Sequence, residues 1–297
     1  MRASEVQGEL PASEARWLLI GNSRWHWAVP PLAADSPLRV WHDLPWHGDR
    51  SEGEGGGTGA LLPAPATGAS DEGGIPPGVA SALLLGWAAV GPVPADLVLP
   101  PEARLQLAEV PLQAAPPWLG IDRALAGWWG WRLVAGPVLV ADAGTVLSFT
   151  WVDREGRFAG GRLLAGAALQ LRAMAGGTAH LPALDAPAVP VEASAVAALA
   201  EDAVPADPAP AAWPHDTAGA MRSGVLRGLA AAIAAAIQET RREEPDCRLL
   251  LTGGDGPALA ALLEPALAVE QRPHLCLEAL AALRPARDQP SPRSLRI

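Results

Sequence analysis

The fold is decided by the stretch Val140-Ala-Asp-Ala-Gly-Thr-Val-Leu-Ser-Phe-Thr150, which reads as an apolar strand, a glycine turn with a hydroxyl residue, and a second strand. The earlier stretch Trp17-Leu-Leu-Ile-Gly-Asn-Ser-Arg-Trp-His-Trp27 has the same pattern when Gly21 is placed over Gly144. The two copies lie 123 residues apart, which is a typical domain length. The repeat favours two similar α/β domains whose turns face one cleft, although two unrelated hairpins would give the same pattern by chance.

Glycine turns of this kind can bind phosphate without a lysine, because their backbone N–H groups converge on an anion. That property matters here, since all 22 basic residues are arginine. The absence of lysine excludes the P-loop, the protein-kinase site and Schiff-base catalysis, each of which requires that side chain. With 32 acidic residues the formal net charge is −10, which argues against nucleic acid as the main partner.

Composition divides the rest of the chain. Residues 1–16 are predicted to be a flexible tail, and residues 48–80 and 185–212 are predicted to be loop or disordered insertions rich in small residues and proline. We therefore expect an N-terminal domain over residues 17–118 and a C-terminal domain over residues 119–297. Apolar runs and turn signals predict two strands within 17–29, further strands at 82–90, 137–143, 146–152, 158–164 and 248–251, and helices at 121–133, 166–175, 217–244 and 257–263.

Nothing in the sequence indicates secretion or a membrane span. The first 16 residues lack an apolar run, and Pro92 and Pro94 interrupt the apolar stretch 79–95, which is better interpreted as a buried strand. Cys247 and Cys276 lie in apolar stretches and are expected to be free thiols. These features predict a cytoplasmic protein without membrane contact.

Seven short motifs follow one another along residues 17–264. They are Leu18-Leu-Ile-Gly-Asn-Ser-Arg24, Gly120-Ile-Asp-Arg123, Ala141-Asp-Ala-Gly-Thr145, Phe158-Ala-Gly-Gly-Arg-Leu-Leu-Ala-Gly166, Thr178-Ala-His-Leu-Pro182, Asp216-Thr217 with Met221-Arg-Ser-Gly224, and Leu251-Thr-Gly-Gly-Asp255. In order and spacing they resemble type III pantothenate kinases, members of the actin/Hsp70/sugar-kinase superfamily. The resemblance implies an α/β fold with two ribonuclease-H-like domains and a nucleotide cleft between them.

The same resemblance implies an activity. It is the ATP-dependent phosphorylation of pantothenate to 4'-phosphopantothenate, the first step of coenzyme A biosynthesis. It also implies a requirement for magnesium and for a monovalent cation, potassium or ammonium. The protein is further expected to form a homodimer whose pantothenate pocket lies near the subunit interface.

Individual residues acquire roles from the resemblance. Asp122 would be the base that takes the proton from the pantothenate hydroxyl, and Asp142 would bind the monovalent cation. The substrate would be bound by Gly120, Ile121, Arg123 and, from the neighbouring subunit, Thr217. ATP would be bound by Ile20, Gly21, Asn22, Ser23, Arg24, Thr145, Gly253 and Gly254.

Each of these polar residues also has a purely structural interpretation. A first-turn Asp122 stabilises the positive N-terminus of a helix. Arg123 could be a solvated side chain with a partner one turn away. Asp142 could bond to the backbone of its own turn. Thr217 could belong to the helix cap that begins at Asp216.

The sequence departs from the family pattern at several positions. Where the first loop of the family carries an Asp, this chain has Leu19, which also lies over Asp142 in the internal repeat. Gln113 stands where the family often has a Tyr. The loss of the first-loop carboxylate leaves two alternatives open. One is a non-catalytic family member that binds nucleotide or acts as a regulatory partner, and the other is a different small-molecule kinase of the same superfamily.

The histidines give no metal signal. The six residues, which show no metal-ligand spacing, are His26, His42, His47, His180, His215 and His274. His26 and His215 lie close in sequence to the proposed loops, and both are interpreted as structural or pocket-lining.

Overall fold

The computed structural model describes residues 16–31, 36–43, 84–95, 97–184 and 211–286. The insertion predicted at 48–80, most of the one predicted at 185–212, and residues 1–15 of the predicted tail lie outside these ranges. Arg16, which the sequence placed in the tail, is buried at the start of the first strand.

The first sheet contains the earlier copy of the repeat. Its strands are β1 (Arg16–Ile20), β2 (Trp25–Val29), β3 (Arg39–Asp43) and β4 (Leu84–Ala89). They are ordered β3-β2-β1-β4, with β1, β2 and β3 antiparallel and β4 parallel to β1. Tryptophan and aliphatic side chains fill both faces of this sheet, which explains why β1 is buried along its whole length.

The second sheet repeats this plan. Its strands are β5 (Val138–Ala143), β6 (Val146–Val152), β7 (Phe158–Ala165), β8 (Arg248–Thr252) and β9 (Val269–Gln271). They are ordered β7-β6-β5-β8-β9, with an antiparallel meander of β5, β6 and β7 and with β8 and β9 parallel to β5. Both sheets therefore begin with a three-stranded antiparallel meander. In each sheet a later strand, β4 or β8, then pairs in parallel with the first strand of the meander, β1 or β5. The two-sheet α/β fold predicted from the repeat is confirmed, while the division of the chain between residues 118 and 119 stays a prediction.

Five α-helices cover the sheets in the described ranges. They are α1 (Ile121–Val134), α2 (Ala167–Gly177), α3 (Thr217–Glu243), α4 (Gly256–Ala260) and α5 (Leu275–Leu283). The cap predicted for α3 is present, since the Asp216 carboxylate accepts a hydrogen bond from the Gly219 backbone N–H at 2.8 Å.

Helices α1 and α5 pack together and join the two sheets in one core. The core contains Trp17 and Leu19 from the first sheet, Val140 and Leu250 from the second, and Leu280 from α5. Helix α5 is the last described element, and it packs on β1, β2 and β4 of the first sheet. The C-terminal part of the described chain therefore contacts the sheet formed by its N-terminal part.

Two glycines bring α1 unusually close to the second sheet. A Cβ at Gly127 would lie 2.9 Å from Cγ2 of Thr150, and a Cβ at Gly130 would lie 3.1 Å from Cδ1 of Leu250. The small residues of α1 thus fix the height of the helix above the sheet, and with it the position of its first turn, which begins at Ile121.

Helix α3 covers the opposite face of the second sheet. It packs with α2 and α4 over Leu139, Leu249 and Leu251, and its Ile233 and Ile237 are fully buried. In length and composition α3 could cross a membrane, but half of its most apolar window is buried inside the protein. This burial is typical of a core helix.

Most elements follow the sequence prediction to within two or three residues. The exceptions in the described ranges are β3, β9 and α5, which the sequence did not predict, and α4, which ends at Ala260 rather than at residue 263. Strand β9 has only three residues, and β3 carries a charged residue at each end, so neither gives a clear periodic signal. Their structure depends on pairing with β2 and β8.

Candidate active site

The first glycine turn links β1 and β2. It is closed by a hydrogen bond of 3.0 Å from the Gly21 backbone N–H to the carbonyl oxygen of Arg24. Gly91, which follows β4, lies against it so closely that a Cβ would come within 2.5 Å of the Gly21 carbonyl oxygen. Gly91 could not be identified from the sequence, because its role depends on the parallel pairing of β4 with β1.

The second glycine turn, at Gly144 and Thr145, meets the first. The hydroxyl oxygens of Ser23 and Thr145 are 2.7 Å apart and share a hydrogen bond. Gly166 packs against the second turn, and its backbone N–H donates to the Thr145 carbonyl oxygen at 3.1 Å. The structure therefore brings together the two turns that the internal repeat aligned.

A third loop follows β8 and packs against the end of β5. Gly253 has φ +89°, and a Cβ there would lie 2.5 Å from the Ala143 carbonyl oxygen and 2.6 Å from Oδ1 of Asp142. The Asp255 backbone N–H donates to the same Ala143 oxygen at 2.9 Å. Only a glycine combines this backbone conformation with this close approach. The predicted ATP-binding residues thus lie on three loops around the ends of β1, β5 and β8.

Electrostatics connect the first and third loops. Burial raises the pKa of the Asp255 carboxyl group, and the positive charge of Arg24 partly opposes that shift. Arg24 also lowers the pKa of nearby His26 and His42. The guanidinium group of the first turn is therefore close enough to influence groups on both sides of the cleft.

Two carboxylates stand next to these loops. Asp122 lies in the first turn of α1, where its Oδ1 accepts the Arg123 backbone N–H at 2.8 Å. Burial raises the pKa of Asp122, and this hydrogen bond together with the Arg123 charge opposes the shift. Burial, and next the charge of Asp122, raise the pKa of Asp142 to about 7. The site thus brings two acidic groups close enough for their charges to repel each other.

Arg123 is buried rather than solvated. Its side chain is 9% exposed, its Nη2 lies 3.5 Å from the carbonyl oxygen of Phe149, and its Nε has no hydrogen-bond partner among the described residues. A Cβ at Gly161 would collide with the guanidinium group. Burying a guanidinium with an unused donor is costly, so this group is favoured only where a polar or anionic partner compensates it.

The other two substrate-binding candidates of α1 line a cavity. Gly120 and Ile121 border a space of about 260 Å³ together with Ala89, Val90 and residues 104–107. The cavity thus extends from the end of β4, beside the first glycine turn, to the first turn of α1.

Thr217 lies apart from the other candidates. It is exposed in the first turn of α3. Helix α1 packs on the face of the second sheet that carries Val140 and Leu250, whereas α3 packs on the face that carries Leu139 and Leu251. The structure therefore does not place Thr217 beside Asp122 within one protomer.

The N-terminus of α5 adds residues that the sequence did not predict. The Cys276 thiol donates to the Asp122 carbonyl oxygen at 3.5 Å, and burial raises its pKa well above the ordinary value, so it stays protonated. His274 begins α5 and lies 6.4 Å from His42, measured between ring centroids. These contacts follow from the return of α5 to the first sheet, for which the sequence offered no signal.

His26 and His42 form a close pair beside the first turn. Their Nδ1 atoms are 2.8 Å apart, so one ring donates to the other. Burial, followed by the nearby His42 and Arg24 charges, lowers the pKa of His26 from 6.5 to about 4, and burial lowers the pKa of His42 to about the same value. No group of three or more histidine, cysteine or acidic side chains is arranged to hold a metal ion in the described ranges.

Two sheets of the same plan, with their glycine turns in contact, are the arrangement expected for the actin/Hsp70/sugar-kinase class. Residues 97–239 match the family model described as type III pantothenate kinase. The type III pantothenate kinase of Synechococcus elongatus is 35% identical over 273 residues, which cover 91% of this chain and 96% of the relative. That of Thermosynechococcus vestitus is 32% identical over 281 residues, which cover 93% of this chain and 92% of the relative. The chain belongs to the type III pantothenate kinase family.

The close approach at Gly253 predicts unequal effects of two adjacent substitutions. Gly253→Ala should lower the free energy of unfolding by about 1–3 kcal/mol and weaken ATP binding, because the loop must move away from Ala143. Gly254→Ala is the matched control for stability, since a Cβ there meets no atom of the protein within 4 Å. Urea denaturation of both variants and calorimetric titration of Gly253→Ala with ATP measure these effects. Equal stability of the two variants would contradict the prediction.

The histidine pair predicts a loss of stability in mild acid. The lowered pKa values keep His26 and His42 neutral in the folded protein, whereas the unfolded chain takes up protons near pH 6.5. Their contribution to stability is therefore complete above about pH 6.5 and decreases as the pH falls toward 4. Urea denaturation of the wild type and of His26→Gln between these pH values should show a shallower pH dependence in the variant. Parallel curves would contradict this assignment.

Proposed function

We propose that this protein transfers the γ-phosphoryl group of ATP to the hydroxyl group of pantothenate, giving 4'-phosphopantothenate at the start of coenzyme A biosynthesis. The observation that carries the proposal is the contact of the two glycine turns, through Ser23 and Thr145 at 2.7 Å, next to the carboxylates of Asp122 and Asp142. Phosphoryl transfer depends mainly on positioning and charge stabilisation, which such a site can provide.

The three loops are suited to bind ATP without a lysine. Backbone N–H groups at Asn22 and Ser23 and the Thr145 hydroxyl would bind the phosphates, with Gly21 closing the turn and Ile20 buried beneath it. Arg24 would add positive charge. The loop at Gly253 and Gly254 would pass beside the adenosine, where the absence of side chains permits close approach. Magnesium would be bound chiefly through the phosphates of ATP, since the residue at position 19 is apolar.

Asp122 has the environment that a general base requires. An alcohol is a weak nucleophile, and a positioned carboxylate can take its proton as the bond to phosphorus forms. Burial raises the pKa of Asp122, which makes the carboxylate a stronger base than an exposed one. The neighbouring Arg123 holds the opposite charge and favours the ionised, active form.

The environment of Asp142 fits a monovalent cation. Its carboxyl group has no cationic side chain as a partner among the contacts described, and burial beside Asp122 raises its pKa to about 7. A potassium or ammonium ion there would restore the charged carboxylate and offset the repulsion between the two acids. The backbone of the glycine turn at Gly144 and the approach of Gly253 bring main-chain groups to the same place.

Substrate binding by α1 and Thr217 requires two copies of the chain. Gly120, Ile121 and the buried Arg123 belong to one site, whereas Thr217 lies on the other face of the second sheet. A homodimer would bring Thr217 of the second protomer to the pocket. Two large aromatic side chains support such an interface, since Trp118 is 69% exposed before α1 and Trp213 is 88% exposed before α3.

The remaining proposals concern surroundings and partners. With the acidic composition and the burial of α3 inside the protein, we expect neither nucleic acid nor membrane as a partner, and a cytoplasmic location.

A non-catalytic, nucleotide-binding member of the family is the second candidate. Leu19 favours it, because this buried leucine occupies the position that corresponds to Asp142 in the repeat.

Asp122→Asn separates catalysis from binding. Because the amide cannot accept the proton of the alcohol, kcat should fall by about 10²–10⁴-fold. The affinities for ATP and pantothenate should remain close to those of the wild type. A coupled assay and calorimetric titrations of both proteins measure these quantities. Near-normal turnover of the variant would exclude Asp122 as the base, and binding without turnover in the wild type would favour the non-catalytic alternative.

Activity should depend on the monovalent cation through Asp142. Turnover in potassium or ammonium buffers should exceed turnover in sodium buffers of equal ionic strength several-fold, since the larger ions suit a site of carboxylate and main-chain oxygens. Asp142→Asn should lower activity and abolish the difference between the cations. Equal rates of the wild type in sodium and potassium would count against a cation at this site.

A further inference from the structure

A row of three residues crosses the first sheet beside its glycine turn. Leu19 of β1 is paired with His26 of β2, and His26 is paired with His42 of β3. Residues directly opposite one another on neighbouring strands project from the same face of a sheet. The internal repeat places Leu19 where the second copy carries Asp142, so the first turn lacks the polar side chain of the second. His26 is the adjacent polar residue on that face.

The ring of His26 lies directly beneath the first turn. Its Nε2 is 3.5 Å from the position that a Cβ at Gly21 would occupy. Its other ring nitrogen, Nδ1, is 2.8 Å from Nδ1 of His42, and the two rings meet edge to face with centroids 4.6 Å apart. One nitrogen of His26 is therefore engaged by its neighbour, and the other faces the loop to which we assign the phosphates.

We propose that His26 is an additional ATP-binding residue, donating a hydrogen bond from Nε2 to a phosphate oxygen at the first glycine turn. His42 is its positioning residue: the His42 Nδ1–H donates to His26 Nδ1, which leaves the proton of the neutral His26 ring on Nε2. This inference rests on the proposed binding of ATP by the first turn. His26 would thus supply a polar contact to ATP at the place where Leu19 replaces the carboxylate of the second copy.

The electrostatic surroundings support this role. The groups that influence His26 are His42 on β3, Arg24 in the turn and His274 at the start of α5, and none of them is acidic. A carboxylate next to Nε2 would compete for its proton, and no acidic side chain in the part of the chain that the structure describes influences this ring. The site is therefore complementary to an anion and would not suit a bound cation.

Two substitutions at His26 distinguish the proposed contact from simple packing. In His26→Gln the side-chain amide nitrogen reaches approximately the position of Nε2, so the dissociation constant for ATP should stay within about threefold. His26→Leu has no donor, so this constant should rise about ten- to a hundredfold, as for the loss of a hydrogen bond to a charged group. The dissociation constant for pantothenate should be the same in all three proteins. Calorimetric titrations in magnesium and potassium measure these constants.

The tautomer gives a readout that is independent of affinity. Long-range ¹H–¹⁵N spectra of the wild type should show His26 protonated at Nε2, with a change in that nitrogen's shift when ATP is added. His42→Ala should release the tautomer and raise the dissociation constant for ATP several-fold, whereas His42→Asn, which keeps a donor close to Nδ1, should be milder.

The possible outcomes separate this inference from the proposed function. Unchanged ATP affinity in folded His26→Leu, or protonation of His26 at Nδ1 only, would overturn the role of His26 while leaving ATP binding by the first turn in place. Equal loss of ATP affinity in His26→Gln and His26→Leu, in step with their thermal stability, would show a packing role and would also overturn it. A wild type that does not bind ATP would contradict the proposed function and this inference together.

Discussion

The close packing of α1 against the second sheet is the constraint on which the site depends. Gly127 and Gly130 let α1 approach Thr150 and Leu250 so closely that a Cβ on either glycine would lie within 3.1 Å of those side chains, which restricts the position of the helix. Its first turn then brings Asp122 within electrostatic range of Asp142 at the end of β5. Helix α5 packs on the other side of α1 and on the first sheet, so the same core that fixes Asp122 also fixes the first glycine turn relative to the second.

The site combines groups whose charges are not balanced within the protein. Two half-buried carboxylates, Asp122 and Asp142, repel each other, and the buried Arg123 keeps a donor without a partner in the described structure. Such groups lower the stability of the folded protein unless partners of opposite charge compensate them. The close packing at Gly91 and Gly253 leaves no room for a Cβ beside the neighbouring backbone, so the loops keep their positions only with glycine there.

Much of this could be predicted from residues that act locally. The strand–glycine–strand pattern at Gly21 and Gly144, the cap at Asp216 and the apolar runs of the second sheet depend on near neighbours, and the structure confirms them. The contacts of Gly91 and the pairing of His26 with His42 could not be predicted, because each depends on the register of strands distant in sequence. For the same reason the short strand β9 and the return of α5 gave no usable signal. The roles of Asp122, Arg123 and Thr217 came from resemblance, and they stay predictions.

The class of fold, the family and the residue types available for phosphate binding can be inferred without coordinates, because the repeated motifs and the lack of lysine are visible in the sequence. Which of those residues share a site depends on the tertiary structure. It joined Ser23 to Thr145, and it put Thr217 at the start of α3, the helix on the sheet face opposite α1, so that Thr217 does not lie beside Asp122 in one protomer. The physical reason is that strand register and helix packing are set by the whole core, whereas a motif records only the conformation of its own segment.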